Sequence, residues 1–267
     1  MERSVEYQYP RTAAFFDLDK TIIATSSALA FGRPFYRGGL ITRRDILRGT
    51  YAQLVFRRNG ANHMQMERMR RYICELCKGW QVQQVHNIVN ETLEELIDPY
   101  VYVEAADLIE AHHEAGADVV IVSSSGVELV EPIGSMLGAD HVIATRMTID
   151  GGYYTGDIEY YAYGENKAQA IRELAERANY DLANSYAYSD SVTDTPMLEA
   201  VGNPRAVNPD RGLRRVATTR GWPILTFTHP VSLYGRLPRR PMIAATVTAG
   251  VTVAGLLWYV SRRKIRG

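Results

Sequence analysis

The sequence predicts an α/β fold: a Rossmann-like three-layer core on a parallel sheet, an inserted helical cap, and a C-terminal single transmembrane helix candidate. Three observations predict it. Short apolar or aromatic runs at 13–16, 119–122, 141–145, 186–188 and 205–207 read as strands buried on both faces, because a strand with one wet face would alternate polar and apolar residues. Helical patterns such as 166–178 separate the later runs, and strand and helix in alternation give a parallel sheet covered on both sides. Residues 26–102, by contrast, show helical spacing throughout.

The first run ends at Asp17, which places a carboxylate at the carboxyl end of a buried strand, where ligands of such sheets bind. In the insertion, Val82, Val85, Val89, Leu93, Leu96 and Ile97 share one helical face, and Ile46, Leu47, Tyr51, Leu54 and Val55 share another. Helices with such faces need a partner surface, so 26–102 is expected to cap the strand ends, excluding water and selecting substrate. Asp150-Gly151-Gly152 before Tyr153 and Tyr154 predicts a hairpin. The core is then 11–25 with 103–229, and 230–241 reads as a linker. Residues 242–260 carry no charge and would extend about 28 Å as a helix, near one hydrocarbon thickness. Arg236, Arg239 and Arg240 precede them, Arg262, Arg263, Lys264 and Arg266 follow, and Trp258 and Tyr259 lie where interfacial aromatics belong. This predicts a cytoplasmic catalytic domain anchored to the inner or cytoplasmic membrane by one C-terminal helix.

The chain has 267 residues with 30 Lys+Arg against 30 Asp+Glu, so no global field favours nucleic acid as a partner. Its two cysteines, Cys74 and Cys77, lack the second pair that a zinc site needs and are expected to pack. Residues 1–10 have no apolar run of the kind a secretory signal requires. His112-His113 reads as a solvated pair near a helix end, and Arg68, Arg70 and Arg71 as a solvated face of the cap.

Asp17 and Asp19 are two apart and project side by side. Asp190 follows the run 186–188, and Asp194 lies four residues on. Clustered carboxylates repel one another unless a cation or proton intervenes, and an oxygen-rich set of this kind suits magnesium. A phosphate dianion would approach an aspartate nucleophile only with help from the metal, Lys167 and backbone amides. Ser123 and the turn Ser124-Ser125-Gly126 offer a hydroxyl and amides for phosphoryl oxygens. Asp19 is placed to protonate a leaving alcohol and later to take a proton from water.

The ordered set Asp-x-Asp-x-Thr, strand-Ser, Lys, Asp-x-x-x-Asp resembles the haloacid dehalogenase superfamily of phosphohydrolases, and the inserted helices resemble the caps of its phosphoserine-phosphatase-like branch, subfamily IB. The resemblance implies a magnesium-dependent phosphatase cleaving a phosphate monoester through a phosphoaspartate on Asp17, with Asp19 as acid/base. It implies phosphate ligands at Ser123, Ser124 and Lys167, a metal held by Asp17, Asp19 and Asp190, and support from Thr21, Thr193 and Asp194. Phosphoserine phosphatases carry a glutamate nine residues after the nucleophile, where this chain has Ser26, and an asparagine where it has Thr193. The first departure speaks against phosphoserine. The expected substrate is another small phosphometabolite or, given the tail, a lipid phosphate. The alternatives are a membrane-anchored regulator that binds a phosphorylated partner with little turnover, and a phosphotransferase.

Overall fold

The structure, a computed structural model, describes residues 10–45 and 63–230, without the side chains of 63–69. The helical face 46–55, the Arg68 side chain, the linker beyond Pro230 and the expected span 242–260 lie outside the described residues. Among the described residues no helix is long and apolar enough to cross a membrane.

Seven strands form one sheet in the order β4-β3-β2-β1-β5-β6-β7. They are β1 (Ala13–Phe16), β2 (Asp118–Gly126), β3 (His141–Asp150), β4 (Tyr153–Tyr160), β5 (Tyr186–Ser189), β6 (Asn203–Val207) and β7 (Ile224–Leu225). All neighbours are parallel except β3 and β4, which form the hairpin expected at Asp150-Gly151-Gly152. Because β1 pairs with β2 on one side and β5 on the other, the chain's direction of winding reverses at β1. That reversal opens a crevice at the carboxyl end of β1, directly beyond Phe16.

The helices are α1 (Ser27–Ala30), α2 (Gly32–Arg37), α3 (His63–Cys77), α4 (Val82–Ile97), α5 (Val103–Glu114), α6 (Val127–Leu137), α7 (Glu165–Ala178), α8 (Thr195–Glu199) and α9 (Arg211–Arg220). On one face of the sheet, Ile171 and Leu174 of α7, Met197 and Leu198 of α8, and Leu213 and Ala217 of α9 pack with Phe15, Val120, Val122 and Ala206. Burying a side chain such as Phe15 contributes about 1.5–3 kcal/mol, so this layer is a main source of stability. On the other face α5 and α6 lie against β1, β2 and β3, and Phe16 stacks on Tyr188 with ring centroids 4.3 Å apart.

Helices α1 to α4 fall between β1 and β2, in the insertion read from the sequence. Along α4, Val85, Val89 and Ile97 are buried, and Val82, Leu93 and Leu96 are half-buried, so the predicted stripe is the packed one. The α3–α4 turn is tied to the hairpin by main-chain bonds from Gly79 N to Tyr154 O, Tyr154 N to Trp80 O and Val82 N to Gly152 O, at 2.8, 3.1 and 3.0 Å. The two crossings into and out of the insertion also pair, with Ala24 N donating to Tyr100 O at 2.8 Å and Tyr102 N to Ile22 O at 2.9 Å.

Candidate active site

Three strand ends and one helix start converge at the crevice. After β1 the chain turns at once: Ile22 N and Ile23 N both donate to Leu18 O, Lys20 N donates to Ile23 O, and Lys20 takes a left-handed φ of 63°. Leu18, Ile22 and Ile23 are fully buried and anchor this tight turn, which allows a non-glycine residue its unfavourable backbone. Asp17 is fixed from the neighbouring strand by its own N–H donating to Tyr188 O at 2.9 Å. Thr21 Oγ1 lies 3.4 Å from Asp17 Oδ2 as a long donor contact.

Lys167 enters from the first turn of α7, a helix bounded by Gly164 and Asn179, both at positive φ. Its side chain is 2% exposed, and Nζ donates to Asp17 Oδ1 at 2.7 Å and to Asp194 Oδ2 at 2.9 Å. Asp194 ends a 3-10 turn, Val192–Asp194, that follows β5, and it accepts a second bond from Ser189 Oγ at 2.7 Å. Ser123 is buried at the end of the regular part of β2, where the pairing with β3 slips and residues 124 and 125 are left out of the register. Such an irregularity re-aims the backbone. Ser125 N donates back to Ser123 Oγ at 3.2 Å, while Ser124 is exposed and its carbonyl accepts from Thr145 Oγ1 at 2.8 Å.

The site is crowded with negative charge. Burial, then the charges of Asp194 and Asp190, push the Asp17 carboxyl up to about 8 although Lys167 pulls it down. Burial also pushes Asp190 up to about 7, Asp194 and Asp210 adding to it while Lys20 and Lys167 oppose it. Burial would strip the Lys167 ammonium of its proton, yet Asp17 and Asp194 hold its pKa above the ordinary lysine value. The donor set therefore has too little positive charge to keep Asp17 and Asp190 ionised together. A divalent cation supplies that charge and takes oxygen ligands, so the residues present fit magnesium.

Of the expected residues, Asp17, Lys167 and Asp194 are joined by hydrogen bonds, Asp190 is near enough for its charge to act on Asp17, Thr21 lies beside Asp17, and Ser123 sits at the end of the neighbouring strand β2. Asp19 has its carboxylate held by the start of α1. Its oxygens accept from Ser26 Oγ at 3.2 Å and Ser27 N at 2.9 Å. Among the described residues no three His, Cys, Asp or Glu side chains gather as a metal site; the resemblance brings Asp19 to magnesium through its main chain, alongside Asp17 and Asp190. Thr193 Oγ1 lies 3.0 Å from Ser191 Oγ, within the turn that follows β5. Sequence reasoning missed Asp210, whose N–H donates to Asp190 O at 2.8 Å and whose carboxylate accepts from Val192 N at 3.1 Å and Leu213 N at 2.7 Å. The signal was an N-cap aspartate after Asn208-Pro209.

His112 corrects another expectation. It is half-buried rather than solvated, its ring edge-on to Phe16, and its Nε2 lies 2.8 Å from Tyr188 Oη. His113 instead meets Asp140 at 3.0 Å. Cys74 is buried, and burial, then Cys74 and Glu128, push the Cys77 thiol up to about 12, as suits packing residues.

Residues 14–199 match the family model for haloacid dehalogenase-like hydrolases. A Streptomyces azureus protein named "Inhibition of morphological differentiation protein" is 61% identical over 273 residues, covering 99% of both chains. A Mycobacterium tuberculosis protein named "Probable phosphatase" is 57% identical over 246 residues, covering 92% of this chain and 86% of its own. The solved structure of a protein of unknown function from Bordetella pertussis Tohama I superposes with a TM-score of 0.71 at 29% identity, covering 81% of this chain and 98% of its own.

Proposed function

The chain belongs to the haloacid dehalogenase-like hydrolases, and from that premise we propose that it is a magnesium-dependent phosphomonoesterase acting on a small phosphometabolite through a phosphoaspartate on Asp17. One observation carries the reading: Lys167 Nζ bridges Asp17 Oδ1 and Asp194 Oδ2 at 2.7 and 2.9 Å in a buried site at the carboxyl ends of β1 and β5. A buried cation on a carboxylate holds it in one orientation and leaves its second oxygen to act as nucleophile. The phosphatase name of the Mycobacterium tuberculosis relative agrees with this chemistry.

In the proposed reaction Asp17 attacks phosphorus, the bond to the leaving oxygen breaks, and a proton from Asp19 goes to that oxygen. Water then attacks phosphorus and loses a proton to Asp19, the bond from the Asp17 oxygen to phosphorus breaks, and inorganic phosphate leaves as the Asp17 carboxylate is regenerated. Lys167, Ser123 and the amides of 124–126 bind phosphoryl oxygens and stabilise the charge that develops on them. Magnesium, held by Asp17, Asp190 and the main chain of Asp19, would neutralise the phosphate and lower the repulsion against Asp17. Helices within 26–102 serve as the cap and 11–25 with 103–229 as the core. Ser26 is neutral and engaged with Asp19, so it offers no countercharge to an amino group, which speaks against phosphoserine. A lipid phosphate rests on the segment 242–260 alone.

The test is phosphate release from p-nitrophenyl phosphate with magnesium. Turnover by the wild type that falls at least about a thousandfold in Asp17→Asn supports the reading. Unchanged turnover in that variant, or none in the wild type across sugar, amino-acid, nucleotide and lipid phosphates, overturns it.

A further inference from the structure

The Asp19 carboxylate is clamped at both oxygens by the start of α1. Ser26 Oγ donates to Oδ2 at 3.2 Å, and the Ser27 main-chain N–H donates to Oδ1 at 2.9 Å. Ser26 is the N-cap residue of α1, a position where serine ordinarily turns its oxygen onto free amides of its own helix. Here it makes no such bond. Its hydroxyl is given to a residue seven positions upstream, and Asp19 takes over the free amide of Ser27. Ser27 is itself fully buried, with its Oγ 2.8 Å from Ser125 Oγ, and Ser125 N donates to Ser123 Oγ at 3.2 Å. A continuous chain of polar contacts thus runs from Asp19 through the first turn of the insertion to the serine at the end of β2.

We propose that Ser26 is a positioning residue that fixes the rotation of the Asp19 carboxyl so that its proton reaches the leaving-group oxygen. The proposal rests on the phosphomonoesterase reading and says which neighbour makes Asp19 an effective acid. A carboxyl group turns in a broad, nearly two-fold well about its last torsion, and one amide bond leaves that torsion loosely defined. The Ser26 hydroxyl on the second oxygen closes it. Proton transfer needs the two oxygens within about 2.6–3.2 Å, so a carboxyl that swings is often out of reach. As the Asp17–phosphorus bond forms and the phosphorus–oxygen bond of the ester breaks, the electron pair of that bond goes to the leaving oxygen, which takes the proton of Asp19. Poor alignment matters most where the leaving oxygen is strongly basic and needs the proton early. It matters least for p-nitrophenolate, which departs with little help.

The experiment compares kcat/KM of the full-length wild type, Ser26→Ala and Ser26→Thr on phenyl phosphate and p-nitrophenyl phosphate, with magnesium. The quantity kcat/KM reports the step in which the leaving group departs, whatever limits later turnover. Ser26→Ala is expected to lose roughly tenfold more on phenyl phosphate than on p-nitrophenyl phosphate, and Ser26→Thr, which keeps the hydroxyl, to restore the wild-type ratio. A partly unfolded variant lowers both substrates equally and leaves the ratio unmoved, so the ratio separates alignment from stability. Equal losses on the two substrates, no loss, or a ratio not restored by Ser26→Thr would overturn the proposal. Failure of the phosphomonoesterase reading shows separately, as turnover insensitive to Asp17→Asn.

Discussion

Single residues in this protein are set by what surrounds them more than by their type, and His112 shows it. From the sequence it read as a solvated base at a helix end. In the fold its ring meets Phe16, Tyr186 and Tyr188 at centroid distances of 6.0, 4.9 and 5.7 Å. Burial, then the neighbouring His113, lowers its pKa below 6.5. The sign follows from linkage: below about pH 6.5 the unfolded chain takes up a proton that the folded state resists. The stability His112 contributes is present above the unfolded pKa and is lost as pH falls through the folded one. His112→Gln keeps a polar partner for Tyr188 and removes this titration. Thermal midpoints at pH 7.5 and 5.5 should drop further in the wild type than in His112→Gln; parallel drops would show that the buried imidazole carries no such penalty. Taking the difference between the two proteins cancels the acidic residues, which titrate in both.

At the scale of elements, the site depends on α9 as a support for the loop that follows β5. Gly212, at the second position of that helix, lies where an added Cβ would stand 2.8 Å from Val192 Cβ and 3.0 Å from its methyl groups. Val192 sits between Asp190 and Asp194, and Asp210 holds the same loop by its N–H and its carboxylate. Gly212→Ala should therefore push the loop away from α9, at a cost of about 1–3 kcal/mol as overpacking, and should lower kcat at least about tenfold by displacing both acids. A variant with unchanged activity and unchanged thermal midpoint would show that the loop does not lean on α9. Legibility follows a similar physical line. The runs at 13–16, 119–122, 141–145, 186–188 and 205–207 lie in β1, β2, β3, β5 and β6; the first two are buried throughout and leave an unbroken apolar signature, while β3, β5 and β6 are covered only in part, His141 being exposed and Arg205 half-buried. β7 is only two residues long, Ile224–Leu225, and too short to have a period. The ordered acids, serine and lysine named one crevice because each lies just beyond a strand or at a helix start, where sequence order fixes location. The turn of Asp19 toward α1 was hidden, since it depends on where an inserted helix begins relative to a loop seven residues earlier.

Across the whole molecule, the fold gathers like charges that an unfolded chain would keep apart. Asp17 from the end of β1, Asp190 and Asp194 from the loop after β5, and Asp210 from the start of α9 are brought together, and among the described residues Lys167 and Lys20 offset the charge on Asp17 and Asp190. Lys20 lies 4.0 Å from Asp190 and is mostly exposed, so solvent screens much of its effect. Packing energy from the sheet and its two helical layers must hold this repulsion in place. Any cation that binds the folded site and not the unfolded chain adds RT ln(1 + [L]/Kd) to stability, about 2.7 kcal/mol at a hundredfold excess over Kd. Magnesium should thus raise the thermal midpoint of the wild type by several degrees at low ionic strength, and an excess of chelator should reverse the rise. Asp190→Asn removes one donor and part of the repulsion together, so its midpoint without metal should equal or exceed that of the wild type while its response to magnesium shrinks. An equal magnesium response in the two proteins would place the cation elsewhere and remove the electrostatic reason for gathering these aspartates at the end of β1.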